Sequence, residues 1–192
     1  MKLRFSFFLI IFILLFSQSK LALAQSELTA KLHDGTHVLL MRHADAPGYG
    51  DPQNYQISQC STQRNLGDLG RKQAKRIGDW LANQEIQQAK IYSSPWCRCV
   101  DTATLLNKGA VKKEASLGSF FDDMSQAKKQ TEELTKLIAA ERKQYPSMPI
   151  IMVTHHVNIQ SYVGMVVNSG DMVLVKVDPA GKPLSFKLYP SP

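Results

Sequence analysis

Residues 149–156 read Pro-Ile-Ile-Met-Val-Thr-His-His, and this stretch decides the organisation of the chain. The apolar run Pro149–Thr154 is too short for a buried helix and is rich in β-branched residues, so it reads as a buried strand. His155 then follows directly at the strand end. Working back along the chain, His37–Met41 (HVLLM) has the same character and ends on Arg42-His43. Lys90–Tyr92 reads as a second strand, and Val111–Leu117 as a segment holding a short third.

Helical patterns separate these runs. From Asp68 to Gln84, Leu69, Ala74, Ile77 and Leu81 recur at helical spacing, with charged residues mostly on the other face. A helix is expected through Val100–Leu106, and another from Ser125 to about Arg142 with Leu134, Leu137 and Ile138 inward. A short helix is expected through Ile159–Met165. Met172–Val177 and Leu184–Leu188 flank Asp178-Pro-Ala-Gly-Lys182, which suits an antiparallel hairpin. Strand–helix alternation predicts a three-layer α/β/α domain with a mostly parallel central sheet and a C-terminal β-hairpin.

The first residues read differently. Lys2 and Arg4 precede an apolar run from Phe5 to Phe16, and Ala22-Leu-Ala24 places small residues at the cleavage positions. Residues 1–24 are therefore expected to be a signal peptide cut after Ala24, and residues 25–192 one domain. The apolar run falls short of the ~20 residues of a membrane span, so no stable membrane anchor is expected. The destination implied is the periplasm or the exterior. Without Lys2, Arg4 and Lys20 the chain carries 20 basic and 16 acidic side chains. That balance suits an anionic substrate and is too weak to argue for nucleic acid. No cysteine or histidine spacing resembles a zinc site, apart from the adjacent His155-His156.

Catalytic groups of parallel sheets collect at the carboxyl ends of strands. Arg42-His43, Arg98 and His155 all fall there. Arginine offers a rigid fork of donors matched to phosphate oxygens. A neutral imidazole can attack phosphorus and hold the phosphoryl group. A second histidine can stabilise the charge that develops.

On these residues the chain resembles the histidine phosphatase (phosphoglycerate mutase-like) superfamily. Leu40-Met-Arg-His-Ala-Asp45 resembles its Arg-His-Gly signature, with Ala44 in place of the glycine. Arg64-Asn-Leu66 with Gly70-Arg-Lys-Gln-Ala74, Ser93-Ser-Pro-Trp-Cys-Arg98 with Thr102-Ala103, and Val153-Thr-His155 follow in the family's order. The resemblance implies that His43 is the nucleophile, that Arg42, Arg98 and His155 complete a phosphate pocket, and that Arg64 adds a contact. It implies no metal or other cofactor.

Many members carry a glutamate acid after the third strand. Here Leu117-Gly-Ser-Phe-Phe-Asp-Asp123 stands instead, leaving Asp122 or Asp123 as acid or as the cap of the following helix. His156 and Asp45 are further candidates. The activity implied is phosphomonoester hydrolysis on a small-molecule or envelope substrate. A phosphohistidine protein phosphatase and a non-catalytic phospho-ligand-binding member are the alternatives. The substrate's identity and the oligomeric state are not legible.

Cys60 lies four residues before Arg64, and Cys97 directly precedes Arg98. With both arginines assigned to one pocket, a Cys60–Cys97 disulfide is expected. Cys60–Cys99 and three free thiols remain open as rivals.

Overall fold

The computed structural model describes residues 26–192, so the expected signal peptide lies outside the described residues. The order of elements is α1 (Glu27–Leu32), β1 (His37–Arg42), α2 (Asp68–Asn83), β2 (Lys90–Ser93), α3 (Cys97–Leu105), β3 (Val111–Lys113), α4 (Ala127–Gln144), β4 (Ile150–Thr154), α5 (His156–Val163), β5 (Met172–Val177) and β6 (Pro183–Tyr189). The strands form one sheet in the order β3-β2-β4-β1-β5-β6. Pairings among β3, β2, β4 and β1 are parallel. The β5–β6 hairpin joins antiparallel to β1.

Every residue of β4 is buried, as is every residue of β1 but Arg42. Their side chains alternate between two cores. Leu39, Met41, Ile151 and Val153 pack with Leu28 and Leu32 of α1, Ile77 and Leu81 of α2, and Cys99 and Ala103 of α3. Val38, Leu40, Ile150 and Met152 pack on the opposite face with Leu134 and Ile138 of α4 and Ile159 and Tyr162 of α5. Helices therefore cover both faces of a mostly parallel sheet. Truncating a central residue such as Ile151 to alanine is expected to cost about 2–5 kcal/mol.

Several expectations are corrected in detail. Helix α1 lies where no element was expected; it is short and is capped by Ser26, whose side chain accepts from the Thr29 N–H. The short third strand expected within Val111–Leu117 is found at Val111–Lys113, and Ala115–Leu117 is a 3-10 turn. A 3-10 turn, Met124–Gln126, precedes α4. Helix α5 starts at His156 rather than Ile159. Leu69, read as part of the buried stripe of α2, is 73% exposed; the buried stripe is Gly70, Ala74, Ile77, Gly78 and Leu81. Gly70 is required by space, since a Cβ there would lie 1.9 Å from the Asp45 carbonyl oxygen. That close approach seats α2 against the segment that follows His43.

The parallel register sets the strand ends level. Arg42 pairs with Thr154, and Ser93 with Val153. The ladder continues one step further, with the His43 N–H donating to the Thr154 carbonyl at 3.0 Å and the Ser94 N–H to the Val153 carbonyl at 2.9 Å. His43, Ser94 and His155 are thus delivered side by side by backbone hydrogen bonds alone. Among the described residues, no helix is long and apolar enough to cross a membrane.

Candidate active site

His43 leaves β1 nearly sealed from solvent, at 1% exposure. Its Nδ1 lies 2.7 Å from the Ala44 carbonyl oxygen. A carbonyl only accepts, so Nδ1 carries the proton and Nε2 keeps its lone pair. Arg98 Nε donates to that Nε2 at 3.3 Å. Burial pushes His43 down to about 3; the Ala44 carbonyl opposes this, and the guanidiniums of Arg98, Arg42 and Arg64 reinforce it. The imidazole is therefore neutral at physiological pH, as a nucleophile must be.

His155 stands beside it, with ring centroids 5.5 Å apart at 69°. Arg98 Nη2 points at His155 Nδ1 from 3.5 Å, and His155 Nε2 lies 2.8 Å from Ser94 Oγ. A guanidinium only donates, so the proton sits on Nε2 and is given to Ser94. Burial, and then the neighbouring His43 and Arg98, hold His155 well below the usual imidazole range. Arg98 itself is 3% exposed and starts α3. Its third nitrogen, Nη1, donates to both carboxylate oxygens of Asp51, at 2.8 and 3.0 Å.

Asp51 organises the surrounding chain. It also accepts from Trp96 Nε1 at 3.1 Å and from the Arg64 backbone N–H at 2.9 Å. Gln63 Oε1 accepts from the Cys97 N–H, which opens α3. A disulfide joins Cys60 to Cys97 with a Cα–Cα distance of 5.6 Å, and Cys99 is a free buried thiol. The rival Cys60–Cys99 pairing is therefore not formed. Burial pushes the Cys99 thiol up to about 12, which leaves it protonated behind His155.

Arg42 donates through Nη1 to the Val167 carbonyl at 2.8 Å, and its buried Nε has no partner. Arg64 donates through Nε to the Gly50 carbonyl at 2.8 Å and through Nη1 to that of Ala46. Ala44, where a glycine was the resemblance's norm, is fully buried among Ala46, Leu66 and Ala74, so a methyl group fits. Its N–H donates to Thr102 Oγ1 at 3.0 Å.

These groups line one cavity of about 370 Å³. Arg42, His43, Arg64, Arg98 and His155 all reach it, as do His156, Asp45 and Asp122. Asp122 is exposed at its wall and accepts from the Tyr55 hydroxyl at 3.3 Å. Asp123 does not line the cavity. Its carboxylate caps the 3-10 turn by accepting from Ser125 and Gln126, and the Ser125 and Gln126 bonds hold it below the usual carboxyl range. That is opposite to what a proton donor needs, and it removes Asp123 as the acid. Burial, chiefly, lowers His156, which is packed against Phe121.

Sequence reasoning missed Asp51, Ser94, Gln63 and Thr102. Ser94 and Thr102 lay inside stretches read as motif, and Asp51 inside a loop recognised by its prolines and glycines.

The sequence model of the histidine phosphatase superfamily (branch 1) matches residues 38–141. The chain belongs to this superfamily. His155 and β4 lie beyond the matched segment, and the fold places them beside it. Among solved structures, the protein histidine phosphatase SixA bound to tungstate is 15% identical, with 80% of this chain and 94% of that one covered and a TM-score of 0.54. A mycobacterial glucosyl-3-phosphoglycerate phosphatase is 15% identical over 80% and 96% of the two chains, with a TM-score of 0.55. A phosphoserine phosphatase from Entamoeba histolytica, in complex with 3-phosphoglyceric acid, is 14% identical over 79% and 96%, with a TM-score of 0.58. At such identities the likeness is one of fold. No curated protein matches the chain in sequence.

Proposed function

We propose that this histidine phosphatase is an exported phosphomonoesterase that works without a metal through a phosphohistidine on His43. The observation that carries the reading is the unprotonated Nε2 of a neutral, buried His43, which accepts from Arg98 Nε. A phosphate dianion seated in the cavity meets the guanidiniums of Arg42, Arg98 and Arg64, which supply the neutralisation that a metal gives elsewhere.

The His43 Nε2 lone pair attacks phosphorus, and the bond from phosphorus to the leaving oxygen breaks. Asp122, the exposed carboxyl on the cavity wall, gives its proton to that oxygen. Water then attacks phosphohistidine, returns a proton to Asp122 and leaves with the phosphoryl group as inorganic phosphate. Arg98 stabilises the charge on the equatorial oxygens, and His155, whose Nδ1 accepts from Arg98 Nη2, holds that guanidinium in place.

Export is supported by the basic and apolar pattern of residues 1–24 and by the Cys60–Cys97 disulfide, since disulfides persist in oxidising compartments. One observation favours a second reading, in which the leaving group is the imidazole of a phosphohistidine. Of the three carboxylates lining the cavity, the buried one, Asp51, is bound to Arg98, and imidazole asks little of an acid.

The test is phosphate release from a panel of monoesters by the mature protein in EDTA, with His43→Ala and Asp122→Asn alongside. Turnover is expected in EDTA and is expected to fall at least about a thousandfold in His43→Ala. Asp122→Asn is expected to slow alkyl esters more than aryl esters or phosphohistidine. Unimpaired turnover by His43→Ala refutes the mechanism. A requirement for added metal refutes the metal-free reading.

A further inference from the structure

The wall of the cavity that leads out from the phosphate pocket is built of rings. His156, beside the pocket, packs on Phe121 with centroids 5.7 Å apart, and Phe121 meets Tyr49 edge-on at 5.3 Å. Tyr49 is 88% exposed and Val166, also on the cavity lining, is 70% exposed. Exposed apolar groups gathered at the mouth of a polar cavity mark a contact surface.

Tyr49 is held in place at the mouth. Gly48 and Gly50 flank it at φ +92 and +66, a left-handed backbone that throws the tyrosine outward. The Gly50 carbonyl is bound by Arg64 Nε, the Ala46 carbonyl by Arg64 Nη1, and Asp51 by Arg98. The loop is therefore tied on both sides of the ring it presents.

The charges at the mouth point the same way. The cavity is lined by three arginines and three aspartates, and by no lysine. Arg98 is paired with Asp51, while Arg64, hydrogen-bonded to neutral backbone carbonyls, keeps its charge. Arg42 and Arg64 remain as the cations that the phosphate itself engages, and Asp45 and Asp122 are the remaining carboxyls on the lining. With Arg42 and Arg64 on the phosphate, a second anionic group on the leaving side would meet carboxyls and no further cation on the lining.

We infer that the site selects phosphate monoesters whose leaving group is uncharged and carries a ring, which lies along Phe121 and Tyr49. This rests on the phosphomonoesterase reading and narrows it. It separates this chain from a phosphatase of phosphoserine or of a phosphoglycerate derivative, whose leaving groups bear carboxylates.

Three esters with similar alkyl leaving oxygens isolate the contact: benzyl phosphate, glycerol 2-phosphate and phosphoserine. Benzyl phosphate is expected to exceed phosphoserine in kcat/KM by about tenfold or more. In Tyr49→Ala the ratio of kcat/KM for benzyl phosphate over glycerol 2-phosphate is expected to fall about fivefold, in the range of a single aromatic contact. Tyr49→Phe is expected to keep the ratio. A preference for phosphoserine, or a ratio unmoved in Tyr49→Ala, overturns the inference while leaving the phosphatase intact. Hydrolysis of none of the three, nor of any aryl monoester, overturns the underlying reading as well.

Discussion

Asp51 and Arg98 form a buried ion pair in which both carboxylate oxygens accept from Nη1, at 2.8 and 3.0 Å, with each side chain 4% exposed. The pairing fixes the rotation of the guanidinium. Its other edge, Nε and Nη2, is thereby left facing the two histidines. Removing one partner of such a pair leaves an uncompensated buried charge. Asp51→Ala is expected to lower stability by about 3–5 kcal/mol. Misplacing Arg98 is expected to cost about a hundredfold in kcat/KM. Asp51→Asn, which keeps one acceptor, is expected to fall between the variant and the native protein on both counts. Urea unfolding and steady-state kinetics check this; equal kcat/KM in the native protein and Asp51→Ala would remove Asp51 from any positioning role.

His43 predicts a pH dependence of stability. Its ordinary value of 6.5 applies to the unfolded chain, and burial takes it to about 3 in the folded one. Between these values the unfolded chain binds more protons, so stability falls as pH drops from 6.5 towards 3. Above 6.5 both states are neutral and the contribution is constant. His43→Gln cannot titrate, so its urea midpoint is expected to fall less than that of the native protein between pH 7.5 and 4.5. His155, lowered in the same direction, keeps part of the slope in the variant. Identical slopes for the two proteins contradict the buried, neutral His43.

The Cys60–Cys97 disulfide spans 37 residues and joins the segment before Arg64 to the residue before Arg98. Cys60→Ser is expected to lose about 2–4 kcal/mol of stability. It is also expected to raise KM for phosphate esters, because Gln63 and Arg64 hang from the same segment. In protein purified without reductant, Cys60 is expected to resist alkylation until it is unfolded and reduced. Rapid labelling of Cys60 in the native oxidised protein rules the disulfide out.

The fold was legible where one signal dominates. β1 and β4 are short apolar runs buried on both faces, and their ends had to carry whatever followed, so Arg42, His43 and His155 could be placed from the sequence alone. Arg98 was legible through its motif. Asp51 was not, because its meaning depends on an arginine 47 residues later in the chain. Aspartates in loops look alike in sequence whether they bind a guanidinium, as Asp51 does, or cap a turn, as Asp123 does. Helix α1 was missed because six residues give too little periodicity to read. Leu69 was placed inward by its spacing, yet the stripe that packs begins one residue later, at Gly70, where the Asp45 backbone leaves no room for a side chain.

The level ends of β1 and β4 carry a consequence for how such a protein can diverge. The two histidines are spaced by a parallel backbone ladder, so their separation belongs to the hydrogen-bond lattice and not to side-chain packing around them. The mouth of the cavity is lined instead by connecting segments, at Tyr49, Phe121, Asp122 and Val166. The spacing of the two histidines and the lining of the cavity mouth are thus written in physically separable parts of the chain. Exchanging the segments 45–51 and 119–122 for those of a relative should transplant a taste for a different leaving group onto an unchanged pair of histidines, provided that an aspartate still meets Arg98 and a carboxyl still stands at the place of Asp122.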